Sequence, residues 1–395
     1  MVRHGDRTSM NNKMKILLVI DDYISSNNGT TISCRRFAGE LRRQGHEVRV
    51  LGTALPDEPE MFRLEEYHLP IVDGLVRAND FHFSKVDLSV IRKAVAWADV
   101  VHCMMPFMLT YRTKQVCDEL HKPSTAAFHI QPENLLSAVR LGKFKPIVDL
   151  MYWAWREGIY RKFQYIHCPS PFMRQEMIAH GYPGDIRAIS NGISSAFCQQ
   201  ERTPSNSPYK GGEGKIVITM VGRLAREKRQ DVILRAVRKS KYADNIQLVF
   251  AGKGPLERWY KRLGRRLKNP PMFVYLNQQD LLTLLRQTDL YVHASDMESE
   301  AISCIEAFAT GLVPVISDSK KSATRQFALD ERSLFKAGSS SDLAQKIDYW
   351  LDHPAEKRRM EQAYAQQGLD YTLEASVRKC VEMFTEAILV NERRV

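Results

Sequence analysis

What this 395-residue chain lacks narrows its function early. It has no C-x-x-C pair: its seven cysteines (34, 103, 117, 168, 198, 304 and 380) are scattered and odd in number. A disulfide framework and a zinc ribbon are thereby excluded. In apolar settings such as Val101-His102-Cys103 and Ile166-His167-Cys168, the cysteines read as reduced, buried thiols of a cytosolic protein. No stretch approaches the ~18 consecutive apolar residues of a membrane span. The first twelve residues are polar and basic, unlike a signal peptide, and residues 1–13 read as a disordered leader. No Asp-x-Asp pair occurs to hold a divalent cation on a diphosphate, and no His, Cys and Glu cluster has metal-ligand spacing. Gly-x-Gly-x-x-Gly is absent too: Gly252-Lys253-Gly254-Pro255 follows a strand, but Glu257 stands where the third glycine belongs. A dinucleotide cofactor is disfavoured, and a tight turn, beside a nucleotide or not, remains. Acid is also in short supply. Lys and Arg number 57 against 46 Asp and Glu, a formal charge of +11. That balance fits a nucleic acid, an anionic membrane, a polyanionic small substrate, or solubility alone. Aromatic platforms for single strands and groove-reading modules are both missing, which argues against nucleic acid.

What is present is alternation. Lys15-Ile16-Leu17-Leu18-Val19-Ile20 reads as a buried parallel strand. Thr30 to Gln44 has helical periodicity closed by Gly45, and Glu47 to Leu51 is the next strand, completing a βαβ unit. Further strands fall at Asp99–Cys103, Ser124–His129 and Tyr165–Cys168, with a helix from about Pro171 to His180. Residues 198–214, rich in Ser, Pro, Gly and charge, read as a linker. A second series follows, with strands at Ile216–Val221, Ile246–Ala251, Met272–Leu276, Leu290–His293 and Val313–Ile316. Its helices fall near Gln230–Ser240, Leu256–Leu267, Asp280–Gln287, Glu300–Thr310, Ser341–Leu351 and Ala355–Gln367, and a last helix spans about Leu373–Asn391. The expected fold is α/β: two Rossmann-like domains, 14–197 and 215–369, facing a cleft, with 370–395 a helix packing back toward the first. Ligands then belong at the carboxyl ends of the strands.

Two acids, Glu298 and Glu306, lie eight positions apart (306 − 298 = 8) across the loop and helix after Leu290–His293. They stand roughly 12 Å apart at ~1.5 Å per residue and can reach opposite ends of an elongated ligand. The helix-start amides between them suit a phosphate. Off the first strand of the second half comes Val221-Gly222-Arg223-Leu224-Ala225-Arg226-Glu227-Lys228. Gly222 allows close backbone approach, and Arg223 and Lys228 can aim two cations at one diphosphate. A solvated basic helix start is the bland alternative.

These motifs resemble those of the retaining glycosyltransferases of family 4, which have the two-Rossmann GT-B fold. The likeness runs from about Met14 to the last helix. It rests on Glu298 and Glu306, on Gly222-Arg223-Leu224 with Lys228, and on Ser190-Asn191-Gly192-Ile193. The resemblance implies that Glu298 lies by the donor-sugar hydroxyls and Glu306 holds the ribose, with Arg223 and Lys228 on the diphosphate. Ala301 and Ile302 then border the donor. The family usually has Gly-Phe-Gly-Leu after the first glutamate; here it is Ser299-Glu300-Ala301-Ile302. Glu300 either brings charge near a phosphate or points away as a first-turn residue favoured by the helix dipole. Asn28-Gly29-Thr30-Thr31 and His129-Ile130-Gln131-Pro132-Glu133 are similar to loops of diacylglycerol glucosyltransferases and related lipid-glycosylating enzymes. This implies Gly29 at the diphosphate, His129 at the donor sugar, and Asn28, Thr30, Gln131 and Glu133 toward the acceptor.

Leu135 to Phe163 interleaves Arg140, Lys143 and Lys145 with Trp153, Trp155 and other apolar residues. That pattern suits an anionic bilayer surface, or else an apolar face packed inside the domain. The expectation is a metal-independent, cofactor-free transferase at the cytoplasmic, inner face of a membrane. It would move a hexose from a nucleotide-diphospho-sugar, UDP-glucose or UDP-galactose, to a lipid hydroxyl such as diacylglycerol or a ceramide-like lipid. A soluble or polysaccharide acceptor is the first alternative. A non-catalytic nucleotide-sugar or nucleic-acid binding protein is the remote one.

Overall fold

The structure, a computed structural model, describes residues 13–25, 29–53, 55, 58, 61–68, 81–137, 144–198, 208, 209 and 214–393. The N-terminal strands are β1 (Lys15–Asp22), β2 (Glu47–Thr53), β3 (Met61–Arg63), β4 (Glu66–Tyr67), β5 (Phe83–Ser84), β6 (Val100–Cys103), β7 (Ser124–Ala127), β8 (Tyr165–Cys168) and β9 (Asp185–Ala188). Seven of them form a parallel sheet in the order β3-β2-β1-β6-β7-β8-β9, and β4 and β5 pair antiparallel beside it. β1 sits centrally because its run is apolar on both faces. Leu17 and Val19 enter one core cluster, Ile16 and Leu18 the other. Helices α1 (Gly29–Arg43), α2 (Leu88–Trp97), α3 (Met108–Glu119), α4 (Pro132–Ser137), α5 (Lys145–Gly158) and α6 (Pro171–Ala179) connect the strands. α1 turns Cys34, Phe37, Ala38 and Leu41 inward, and Arg42 and Arg43 complement its carboxyl end.

The second domain repeats the plan. Its strands are β10 (Ile216–Val221), β11 (Ile246–Ala251), β12 (Met272–Val274), β13 (Leu290–His293), β14 (Pro314–Ser317) and β15 (Leu334–Phe335). They run parallel in the order β12-β11-β10-β13-β14-β15. Its helices are α7 (Gln230–Val237), α8 (Glu257–Gly264), α9 (Gln278–Arg286), α10 (Ile302–Ala309), α11 (Ser340–Asp352) and α12 (Pro354–Gly368). The chain then crosses back, and α13 (Leu373–Glu392) lays Val377, Cys380, Met383, Phe384 and Ala387 into the core beneath the first sheet.

Two boundaries differ from the sequence reading. Ile193 and Phe197, placed in the first domain, are buried in the core of the second. The outward and return crossings are bonded together there, Ile193 N–H to Tyr371 C=O at 2.8 Å and Leu373 N–H to Ile193 C=O at 2.8 Å. The helix expected from Glu300 begins at Ile302, because Ala301 takes a left-handed conformation (φ 70, ψ 66). Strands β3, β4, β5, β9 and β15, at two to four residues too short to show a period of their own, were not foreseen. Residues 1–12 of the expected leader and 199–207 and 210–213 of the expected linker lie outside the described residues.

Candidate functional site

The cleft is built at the carboxyl ends of β10, β11 and β13. The backbone leaving β10 packs against that leaving β11: a Cβ on Gly252 would stand 2.2 Å from the Gly222 carbonyl oxygen, and one on Gly254 2.4 Å from that of Leu224. Close backbone approach therefore accounts for the Gly252-Lys253-Gly254 turn. The second loop props up the first, which presents Arg223 exposed to solvent. Ser303, in the first turn of α10, donates its hydroxyl to Val221 C=O at 3.1 Å and brings the helix start to the same place.

Lys228 and Glu298 are an ion pair, and His293 completes the group. Its Nε2 lies 3.0 Å from Glu298 Oε1, and its Nδ1 is 3.2 Å from the Tyr291 hydroxyl. Tyr291 and His293 are alternate residues of β13, so both rings lie on one face of the strand. Burial alone would raise the Glu298 carboxyl; Lys228 and the His293 N–H overcome it and hold the group at about 2. Glu298 is therefore a fixed anion whose second oxygen, Oε2, faces no partner named in this group. His293 was missed as a site residue, although its place at a strand's carboxyl end was a readable signal.

Beyond Glu298 the chain turns through Ala301. A left-handed alanine costs about 1–2 kcal/mol against glycine, so the turn is held by its surroundings. No side chain caps α10, leaving its first amides free for an anion. Glu306, one turn on, is buried, and burial pushes its carboxyl up to about 7 against the opposing pull of Arg36 from α1. Arg36 was unreadable from sequence, being one arginine among several on a polar helix face. Glu300 precedes the first turn of α10 and is turned toward the first domain. Its buried carboxylate accepts hydrogen bonds from Ser190 and Asn191 of the first domain.

On the first domain's side, Gly29 opens α1 with empty space around it, and Thr30 behind it is buried. His129 follows β7. Neither ring nitrogen has a hydrogen-bond partner, and the ring meets His167 edge-on at 4.9 Å. Burial, with His167 and His102 nearby, pushes its pKa well below the usual value, so the ring is neutral. Gln131 is buried with Oε1 unpartnered, and Glu133 accepts from the Tyr152 hydroxyl at 3.2 Å. These two open onto a cavity of about 590 Å³ between the domains, walled by Phe172, Glu176 and His180 on one side and Lys320 and Lys321 on the other. Lys145 also lines it.

The two tryptophans of α5 separate. Trp153 is 54% exposed, whereas Trp155 is half-buried against the first domain's core, edge-on to Phe128 at 6.0 Å, the internal of the two places the sequence left open for this stretch. Asn28, Arg140 and Lys143 lie outside the described residues. Among the described residues no three His, Cys, Asp or Glu side chains are placed to hold a metal ion, and no helix is long and apolar enough to cross a membrane.

Residues 27–197 match the family described as Glycosyltransferase Family 4, and residues 203–367 the one described as Glycosyl transferases group 1. A GDP-mannose-dependent alpha-mannosyltransferase of Mycolicibacterium smegmatis is 26% identical over 317 residues, 77% of this chain and 79% of that protein. An alpha-monoglucosyldiacylglycerol synthase of Streptococcus pneumoniae is 23% identical over 321 residues, 77% and 71% of the two chains. HepE of Anabaena, crystallised with UDP and glucose, shares the fold with a TM-score of 0.70 at 13% identity, over 94% of this chain and 100% of its own. The catalytic domain of a cholesterol-alpha-glucosyltransferase from Helicobacter pylori is 49% identical, covering 40% of this chain and 99% of that domain, with a TM-score of 0.39.

Proposed function

This chain belongs to the group 1 glycosyltransferases of family 4, with their two-domain GT-B fold, and from that premise we propose how it uses its cleft. It is a glycosyltransferase drawing on a nucleotide-sugar. The donor is UDP-glucose or UDP-galactose and the acceptor a membrane-lipid hydroxyl, diacylglycerol or a ceramide-like lipid. Arg223, Lys228 and the amides at the start of α10 hold the diphosphate, with Gly222 and Gly29 letting backbone approach it. Glu298 and His129 take the sugar hydroxyls, and Glu306 the ribose diol. The acceptor hydroxyl attacks the anomeric carbon from the face that UDP leaves. The new C–O bond forms as the bond to phosphate breaks, and a departing phosphate oxygen takes the proton. Configuration is retained, and the protein supplies position and charge in place of a metal.

The carrying observation is the buried Lys228–Glu298–His293 group beside the uncapped start of α10. The lipid reading is supported by the likeness to an alpha-monoglucosyldiacylglycerol synthase and by α5. There Leu150 and Trp153 lie three apart on one stripe, 59% and 54% exposed, with Phe144 at 56% just ahead. An exposed apolar stripe beside Lys145 suits insertion into an anionic bilayer surface.

The test supplies labelled UDP-glucose, UDP-galactose or GDP-mannose with vesicles carrying diacylglycerol, ceramide or a sterol. The expected result is an α-linked glycolipid formed equally well in EDTA, with protein floating on anionic vesicles. A labelled water-soluble product and no flotation would select the soluble-acceptor reading, and a strict need for Mg²⁺ would contradict the metal-free mechanism.

Glu306 adds a pH signature. A ribose diol donates to the carboxylate and favours its ionised form, so binding lowers a pKa that stands near 7 in the free protein. Below pH 7 the protein must release a proton to bind, and affinity for UDP-glucose falls by up to about tenfold per pH unit. Above pH 8 it levels off. Calorimetry from pH 5.5 to 8.5 reads the slope, UDP-glucose being preferred because its diester phosphates do not titrate there. Glu306→Gln should flatten it.

A further inference from the structure

The seam between the domains is fastened at the loop that carries Glu298. Two consecutive residues of that loop bond to the first domain. Ser170, which caps α6, donates its hydroxyl to Ser299 C=O at 2.6 Å. Glu300, 2% exposed, accepts at both oxygens: from the Ser190 hydroxyl and the Asn191 N–H (3.0 Å) at Oε1, and from the Asn191 side-chain amide (2.6 Å) at Oε2. On the loop's other side the Ala323 N–H holds Glu298 C=O at 2.8 Å. Ser190 and Asn191 stand just ahead of Ile193, where the two crossings between domains are bonded to each other.

A buried carboxylate needs donors, and every hydrogen bond found for this one comes from the other domain. The loop's geometry is therefore complete only when the two domains are set against each other. The donors also sit at the crossing point. A rotation of one domain on the other moves this point least, so the bonds survive while the cleft mouth opens and closes.

We propose that Glu300 is a positioning residue, whose grip on Ser190 and Asn191 holds the left-handed turn at Ala301 and thereby sets the bearing of Glu298 and of the α10 amides on the donor sugar and diphosphate. This inference rests on the glycosyltransferase reading of the cleft. Glu300 touches neither substrate; it keeps the groups that do in register with the acceptor side. An acid here is the chain's departure from the Gly-Phe-Gly-Leu pattern usual in the family its motifs resemble. The acid acts together with the hydroxyl and amide of Ser190 and Asn191.

The experiment uses the full chain with Glu300→Ala, Glu300→Gln and Ser190→Ala, measuring UDP affinity by calorimetry and kcat and KM for UDP-glucose, with hydrolysis of the donor counted as turnover. Glu300→Ala should lower kcat about 30-fold, since small misplacements at a reacting centre cost up to about 100-fold, while UDP affinity falls much less, by roughly fivefold at most, because the α10 amides shift but Arg223, Lys228 and Glu306 are untouched. Glu300→Gln should recover kcat to within about threefold. Its carbonyl accepts from Ser190 and the Asn191 N–H, and its N–H₂ finds Asn191 Oδ1, which has no partner now. Ser190→Ala, which removes one donor, should lose a smaller part of kcat and stays informative if the alanine variant of Glu300 misfolds. An unchanged kcat in Glu300→Ala would overturn the proposal. So would UDP affinity, kcat and thermal stability falling together with glutamine no better than alanine, because that is a merely structural residue. A wild-type protein that binds no UDP and turns over no donor would instead sink the underlying function, a separate outcome.

Discussion

Arg223→Ala is expected to cut turnover by about 100- to 1000-fold and to leave thermal stability unchanged. The side chain is exposed, and among the described residues it enters no ion pair. Surface changes of that kind stay within about 0.5 kcal/mol. Removal of one preorganised donor from a leaving group's charge costs about 10²–10³ in kcat. Lys228→Ala should be as damaging to turnover but will also destabilise, because Lys228 has a second role in the free protein. It pairs with Glu298, whose side chain is 11% exposed, and its loss strands a buried carboxylate with only His293 beside it. Breaking a buried pair from one side costs about 3 kcal/mol, or roughly 4 °C in Tm for a chain of this size. The double substitution should abolish turnover altogether. The Lys228–Glu298 pair thus splits the two single variants: turnover is lost in both and stability in one. Steady-state rates alongside calorimetric melting read both halves.

Glu298→Gln should lower turnover about 1000-fold while UDP binds within a few-fold of normal. Glutamine matches the shape, but it removes the anion that faces the donor sugar and leaves the diphosphate and ribose contacts in place. The loss should therefore appear between UDP and UDP-glucose: the wild type prefers the nucleotide-sugar, and the variant does not. The same substitution changes the response to acid. Glu298 has a folded-state pKa near 2, below that of an unfolded glutamate, so its stabilisation is present above about pH 4.5 and lost as pH falls toward 2. The stability gap between wild type and Glu298→Gln should close over that window. Glu300 and Glu306 behave oppositely. Burial holds both near 7, so the folded chain takes up protons before the unfolded one does. Ligand-free stability should rise as pH falls from 8 through 7, until below about 6.5 the buried, neutral His102, His129 and His167 begin to work against it, ahead of the Glu298 loss. A melting series across pH 3–8 that showed no maximum between those limits would contradict these assignments.

The two sheets were legible because β1 and β10 are apolar on both faces, a pattern that only a covered central strand satisfies. Glu298 and Glu306 could be read as neighbours because spacing along one loop and helix is local, and so could Gly222 and Lys228, on the separate loop after β10. Glu300 could not be read in this way. Its partners lie 109 and 110 residues away, and no local rule says which domain a loop acid will face. Trp153 and Trp155 show a different limit. Two positions on a helix differ by about 200°, so one composition-based stretch held both an exposed tryptophan and one half-buried against the core. The first domain's boundary was misplaced for a related reason: Ile193 and Phe197 look like the tail of one unit and are needed by the core of the next.

The route taken by α13 bears on how the molecule comes to exist. A ribosome delivers the first sheet long before residues 373–392, yet one face of that sheet is finished by Val377, Cys380, Met383 and Phe384. Until those residues emerge, the nascent first domain waits with an uncovered apolar face, guarded by chaperones or by transient collapse. The second domain can be complete by then, and the last helix is the piece that completes the first domain's core, alongside Cys34, Phe37, Ala38 and Leu41 of α1.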